Sequence, residues 1–234
     1  MIYLQGSKND ICCFERVKCV YFVFVNVAQN SRVLDIFIYL CAQNKETVMI
    51  LELNEVLLKN DRQTLSMMAQ SGKLTCLTGG NLLQRQCCLL SIMGFEPIVN
   101  GYICLDGEPL TTNSAMAFRQ LMTYAPARLS AIGEVTVYEP PTIQDVFSLR
   151  MNRERPISNG ILGEEIRKIG ADASDARVQL LAVAVLLDKQ ILLVDNPHED
   201  SVAYLKQQAL KGKIVIVASD NPEVVRASDL VVEL

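Results

Sequence analysis

Apolar runs bounded by glycine and polar turns recur from Met49 to the last residue. LELNEVLL (51–58), KLTCLTG (73–79) and GYICLDG (101–107) read as strands, and a helical stretch is expected from Arg85 to about Met93. RVQLLAVAVLLD (177–188) is apolar enough for a buried helix, and it leads through Lys189 and Gln190 into ILLVD (191–195), a short run of the buried-strand kind. A helix around Ser201 to Leu210 comes next. Gly212 stops it, and the remaining residues supply another buried strand, a short helix and a last strand. Buried strands alternating with helices predict a parallel sheet covered by helices. Between Arg128 and Gly170 that rhythm breaks at Pro140, Pro141 and Pro156, and a mostly helical insertion or small lobe is expected there.

Residues 1–48 read differently, being rich in Cys, Phe and Tyr around the β-prone stretch VKCVYFVFVNV. Met49 stands directly before a clean strand pattern, so the leading segment reads either as an upstream extension ahead of a second initiator or as a real appendage. The expected division is thus 1–48, of unknown role, and 49–234, one α/β domain. The run Val17–Val27 contains Lys18 and Asn26 and falls far short of the roughly 20 residues of a spanning helix. The first residues show no basic region followed by an apolar core and a cleavage site, so no export signal is expected.

Composition narrows the function. Of the 234 residues, 50% are hydrophobic and 21% charged, enough to bury one substantial core, and the net charge of −4 comes with scattered Lys and Arg. Without a basic stripe to neutralise phosphates, nucleic acid is excluded as an expected partner. The eight cysteines include no CxxC pair, so buried thiols in a reducing cytoplasm are the expectation, rather than a metal site or disulfide framework.

Four segments carry candidate chemistry. LTGGNLLQRQCCLL (77–90) occupies the strand-to-helix position of a phosphate-binding loop, in which backbone N–H groups and a helix N-terminus surround phosphate while a lysine and a hydroxyl complete the site. GYICLDGEPL (101–110) follows it, LLDKQILLVDNP (186–197) places Asp195 at a strand's end, and IVIVASDNPEVVRASDLVVEL closes the chain. In kind and order these segments resemble the ATP-binding subunits of bacterial ABC transporters, over about four fifths of the chain. The resemblance implies a P-loop NTPase-like α/β fold of ABC type, with a mostly parallel sheet core, flanking helices and a small helical lobe. It assigns ATP contacts to Gly79, Gly80, Asn81, Leu82, Leu83, Gln84, Arg85, Gln86 and Cys87, and a weak Mg²⁺ contact to Asp195.

The departures from the family pattern are extensive. Leu82, Leu83 and Gln84 stand where it has Gly-Ser-Gly, and Arg85, Gln86 and Cys87 where it has Lys-Ser-Thr. Arg85 is longer and forked where the family has a compact cation. A residue with a side chain at position 84 would be strained if the tight loop demanded positive φ there, so another loop shape is expected. Asn196 replaces the glutamate that would act as general base, a loss of about 10²- to 10⁴-fold in rate. Ala171–Asp175 stands where the family has its glycine-backed signature, which sets two carboxylates against a polyanion. Ala127 and Asp220 take the places of the coupling glutamine and the switch histidine. Plainer readings also apply: Asp195 as a turn cap, Arg85 as a surface helix residue and His198 as a solvated loop residue with no catalytic role.

Three functions follow. The leading one is an ABC-type subunit homologue that does not hydrolyse ATP, binds ATP and Mg²⁺ weakly or not at all, and works through a second ABC-type subunit or a membrane permease. Such a chain would have no catalytic residue and no membrane span of its own, and would be cytoplasmic or peripheral at the inner membrane. The others are a slow ATPase energising transport and a nucleotide-free scaffold in which Leu82 and Leu83 close the phosphate cradle.

Overall fold

The computed structural model describes residues 48–59, 61–128 and 157–234, together with two short strands nearer the start, β1 (Arg16–Val17) and β2 (Val20–Tyr21). The chain divides into two compact units, Met1–Thr47 and Val48–Leu234. In the first, β1 and β2 form an antiparallel pair with Arg16 opposite Tyr21 and Val17 opposite Val20. The second unit holds all the other described elements.

Its strands fall into two sheets. β3 (Ile50–Leu58), β4 (Leu65–Gln70), β6 (Ile98–Leu105) and β7 (Glu108–Pro109) form an antiparallel sheet in the order β4-β3-β6-β7. The second sheet is wholly parallel, in the order β11-β5-β10-β9-β8, and comprises β5 (Leu74–Thr78), β8 (Met122–Ala125), β9 (Ile191–Asp195), β10 (Ile214–Ala218) and β11 (Leu230–Glu233). The expected parallel sheet is therefore present, and the runs 51–58 and 101–107 lie outside it in a sheet of their own.

Alternation explains how the layers pack. In β9 and β10, Ile191, Leu193, Ile214 and Ile216 face one core, which they share with Leu51, Leu53, Ile103 and helix α1 (Leu82–Ile92). Leu192, Val194, Val215 and Val217 face the other, against α3 (Asn159–Ile169), α4 (Ala176–Leu186), α5 (Val202–Leu210) and α6 (Pro222–Ala227). Strands buried on both faces have no polar side, which is why they read as unbroken apolar runs. α1 lies between the two sheets' inner faces through Cys88, Leu89 and Ile92. Burial pushes the Cys88 thiol up to about 12, so it is inert.

The antiparallel sheet is bent at one point. Pairing of β3 with β4 and β6 shifts register after Asn54, and Glu55 takes a left-handed φ of 47°. Gly101, at φ 83°, lies directly against this bulge. Across the helical layer, the Tyr204 hydroxyl on α5 donates to Glu165 Oε1 on α3, and Lys168 Nζ reaches the other oxygen at 2.8 Å. Burial raises the Glu165 pKa, but the bonds from Lys168 and Tyr204 outweigh it and hold the carboxyl below its ordinary value.

The elements not anticipated include β4, β7, helix α2 (Ala115–Leu121) and β8, into which α2 runs directly. The expected lobe between Arg128 and Gly170 lies mostly outside the described residues, and α3 is its described portion. Cys12, Cys13, Cys19 and Cys41 also lie outside them, while Cys76, Cys87, Cys88 and Cys104 are free thiols. Among the described residues no helix is long and apolar enough to cross a membrane.

Candidate functional site at the carboxyl ends of the parallel strands

Parallel register gathers the candidate residues. Leu77 on β5 pairs with Ala218 on β10, so the segments leaving these strands, Thr78–Gly79 and Ser219–Asp220, emerge side by side. Ala218 pairs in turn with Asp195 on β9, and Leu193 with Tyr124 on β8. The crevice outside the carboxyl ends is where open α/β sheets place their sites.

The loop between β5 and α1 is short. Gly79 and Gly80 both have positive φ, 73° and 55°, and turn the chain within two residues. Asn81 then caps α1: its side chain accepts the Gln84 N–H at 2.9 Å while the Gln84 amide oxygen accepts the Asn81 N–H at 2.8 Å. The helix therefore begins at Leu82, one turn earlier than the sequence reading placed it. Gln84 is helical and escapes the positive φ feared for it; its amide Nε2 also donates to Asp61 Oδ1 at 2.5 Å. Leu82 and Leu83 do not close the cradle, since they are 46% and 72% exposed at the helix start.

Arg85 fills that place instead. It is 6% exposed, which removes the surface-residue reading. Its Nη1 donates to Gly79 O at 2.7 Å and pairs with Asp220 Oδ2 at 2.5 Å. The other oxygen of Asp220 accepts the Gly79 N–H at 3.0 Å and the Thr78 hydroxyl at 3.2 Å. Cys87, half-buried two residues further on, lines with Lys59, Asp61, Leu83, Gln84 and Gln86 a cleft of about 410 Å³.

Asp195 is 3% exposed, with Oδ1 lacking any hydrogen-bond partner. Tyr124 Oη makes a long 3.5 Å contact to Oδ2, and the Ala127 backbone N–H also reaches the carboxylate. Burial raises the Asp195 pKa, opposed by these bonds and by the charges of Arg85 and Arg128. Gln86 hydrogen-bonds the same Tyr124 hydroxyl, whose pKa is raised by burial and by the Asp195 charge. Gln86, Tyr124 and Asp195 thus form one chain of contacts. The sequence reading missed Tyr124, which stands on β8, a strand it did not anticipate either.

Other candidates take structural tasks. Asn196 adopts a left-handed φ of 46° and donates its N–H to Ala218 O at 2.9 Å, a conformation that asparagine tolerates well. Asp172 accepts the Ser174 N–H and hydroxyl at 2.9 and 2.8 Å, and Asp175 caps α4 while pairing with Arg177 at 2.5 Å. His198 is more covered than expected, at 18% side-chain exposure, and its Nδ1 accepts the Asp200 N–H at the start of a 3₁₀ turn.

No protein-family model matches the sequence, and no curated protein matches it either. Solved structures do match in fold. A Pyrococcus furiosus protein named as an ABC transporter ATP-binding protein superposes with a TM-score of 0.59 at 14% identity, over 79% of this chain and 97% of that one. The chain has the fold of an ABC transporter ATP-binding subunit. Another ABC transporter ATP-binding subunit gives a TM-score of 0.59 at 16% identity, over 79% and 85% of the two chains. The cbiO1 protein of Clostridium perfringens, part of the ABC transporter complex cbiONQ, gives 0.52 at 14% identity over 78% and 84%. Within this ABC-type fold, β5, the Gly79–Gly80 turn and α1 make the strand-loop-helix unit expected of residues 74–92.

Proposed function

We propose that the chain is an ABC-type subunit homologue that does not hydrolyse ATP and acts by holding a partner. One observation carries this reading: the buried Arg85 guanidinium is spent on Asp220 at 2.5 Å and on the loop's own Gly79 carbonyl at 2.7 Å. A phosphate would need that cation and the loop's N–H donors. The Gly79 N–H already serves Asp220, and the Asn81 N–H serves Gln84. A triphosphate does not fit this arrangement without displacing a carboxylate of like charge. The unpartnered Asp195 Oδ1 would suit a cation, but Gln86 offers an amide already engaged with Tyr124 in place of a hydroxyl.

Residues 79–87 are therefore the remains of an ATP contact surface, with weak or no affinity for ATP and Mg²⁺. The partner is a second ABC-type subunit or a membrane permease, which puts the chain in the cytoplasm or at the inner face of the membrane, with residues 1–48 as an extension of the 49–234 domain. Leu82 and Leu83, exposed beside the loop, support a contact role, because adjacent exposed leucines are the sort of surface a partner covers.

The test is calorimetric titration of the full chain with ATP and Mg²⁺, with phosphate release followed in the same samples. We expect neither saturable heat nor release above a protein-free blank. Release well above the blank would restore the ATPase reading, and saturable binding without release would make the chain a nucleotide sensor.

A further inference from the structure

We propose that the loop after β5 is a built oxyanion site whose occupant is the chain's own Asp220 carboxylate, a resident anion that excludes inorganic phosphate. Three kinds of donor converge on this one group: a backbone N–H from a positive-φ glycine, a hydroxyl and a guanidinium. Such a set recognises small oxyanions, since each donor strengthens against a charged acceptor and the glycine presents its N–H without a side chain in the way. The two oxygens of Asp220 divide these donors between them, Oδ1 taking Thr78 and Gly79 and Oδ2 taking Arg85.

The difference in burial between the two partners shows that the donors form a site and not merely a surface ion pair. Arg85 is 7% exposed on its side chain while Asp220 is 54% exposed, so the cation is built into the protein and the carboxylate reaches it from the solvent side. Asp220 competes well because it is tethered: a group held this close has an effective concentration of about millimolar or higher, which free phosphate must exceed.

The inference rests on the reading that this loop takes no nucleotide in the natural chain, and the experiment separates the two. Inorganic phosphate and pyrophosphate are titrated into the full-length protein and into Asp220→Asn and Asp220→Ser, by calorimetry and by melting temperature. Both variants should bind either anion at least about tenfold more tightly than the natural chain. They should melt lower in its absence and recover when it is added, and the further change Arg85→Gln should abolish the gain. Folded variants that bind no better than the natural chain overturn the proposal, as does saturable binding by the natural chain with the variants' affinity. If a variant folds poorly, rescue by phosphate supports the resident anion and failure of rescue rejects it. ATP binding with phosphate release by the natural chain would instead sink the functional reading. Inertness to ATP together with phosphate-blind variants would sink only the resident anion.

Discussion

Gly101 has no room for a side chain. A Cβ built there would lie 2.3 Å from Glu55 O and 2.4 Å from Asn54 O, and its φ of 83° is one that alanine adopts only under strain. Both neighbouring atoms are backbone, so no rotamer change relieves the clash. Gly101→Ala should therefore destabilise the protein by about 3 kcal/mol, read from urea unfolding. Arg85 is the second residue whose surroundings set a clear expectation. A surface arginine could be truncated almost freely, but this one is buried and paired. Its loss leaves the Asp220 carboxylate and the Gly79 carbonyl without their cation. Because Asp220 stays half exposed and regains water, Arg85→Ala should cost about 2 kcal/mol, below the range for a fully buried pair. A change indistinguishable from zero would mean that the pair contributes only geometry.

Among the elements, α3 and α5 are tied through Glu165, and this tie responds to pH. Its folded pKa lies below the ordinary value of 4.5 despite burial, because Lys168 and Tyr204 favour the ionised form. The stability it contributes is accordingly present above that ordinary value and lost as pH falls through the folded one. Glu165→Gln should cost about 1–2 kcal/mol near neutral pH, with the gap to the natural chain narrowing in acid. Equal gaps at both ends would show that ionisation is not what matters. Elements differed in how plainly they could be read. β9, β10 and α4 stood out because burial on all sides leaves unbroken apolar runs. β4 did not, because exposed Met68 puts an apolar residue on its outer face and spoils the alternation of buried Leu65, Met67 and Ala69. α2 passes into β8 with no turn residue between Leu121 and Met122, so nothing punctuates the change of period. The start of α1 was encoded by the spacing of Asn81 and Gln84, a capping box that goes unnoticed when residues 79–87 are compared with a phosphate-binding loop.

On the scale of the whole molecule, the parallel sheet brings Arg85, Asp195 and Asp220 to one end, and the sequence held no sign of how they would pair. Gly79 and Asp220 are 141 positions apart and meet only because β5 and β10 are neighbours, an order that apolar periodicity cannot reveal. Once they meet, the charges at this end are answered within the chain: Asp220 answers Arg85, while the Ala127 N–H and Tyr124 answer Asp195 in part. On the function proposed above, a loop closed in this way gains nothing from a nucleotide, which makes ligand-linked stability a sensitive probe. A ligand present at a hundred times its Kd stabilises by about 2.7 kcal/mol. For a domain of this size that is a rise in melting temperature of about 5–10 °C. Melting the full chain with and without millimolar Mg²⁺ and ATP should shift the midpoint by less than about 1 °C. A rise of several degrees would require the Arg85–Asp220 pair to open for ATP, and the same pair would then be the gate to the site.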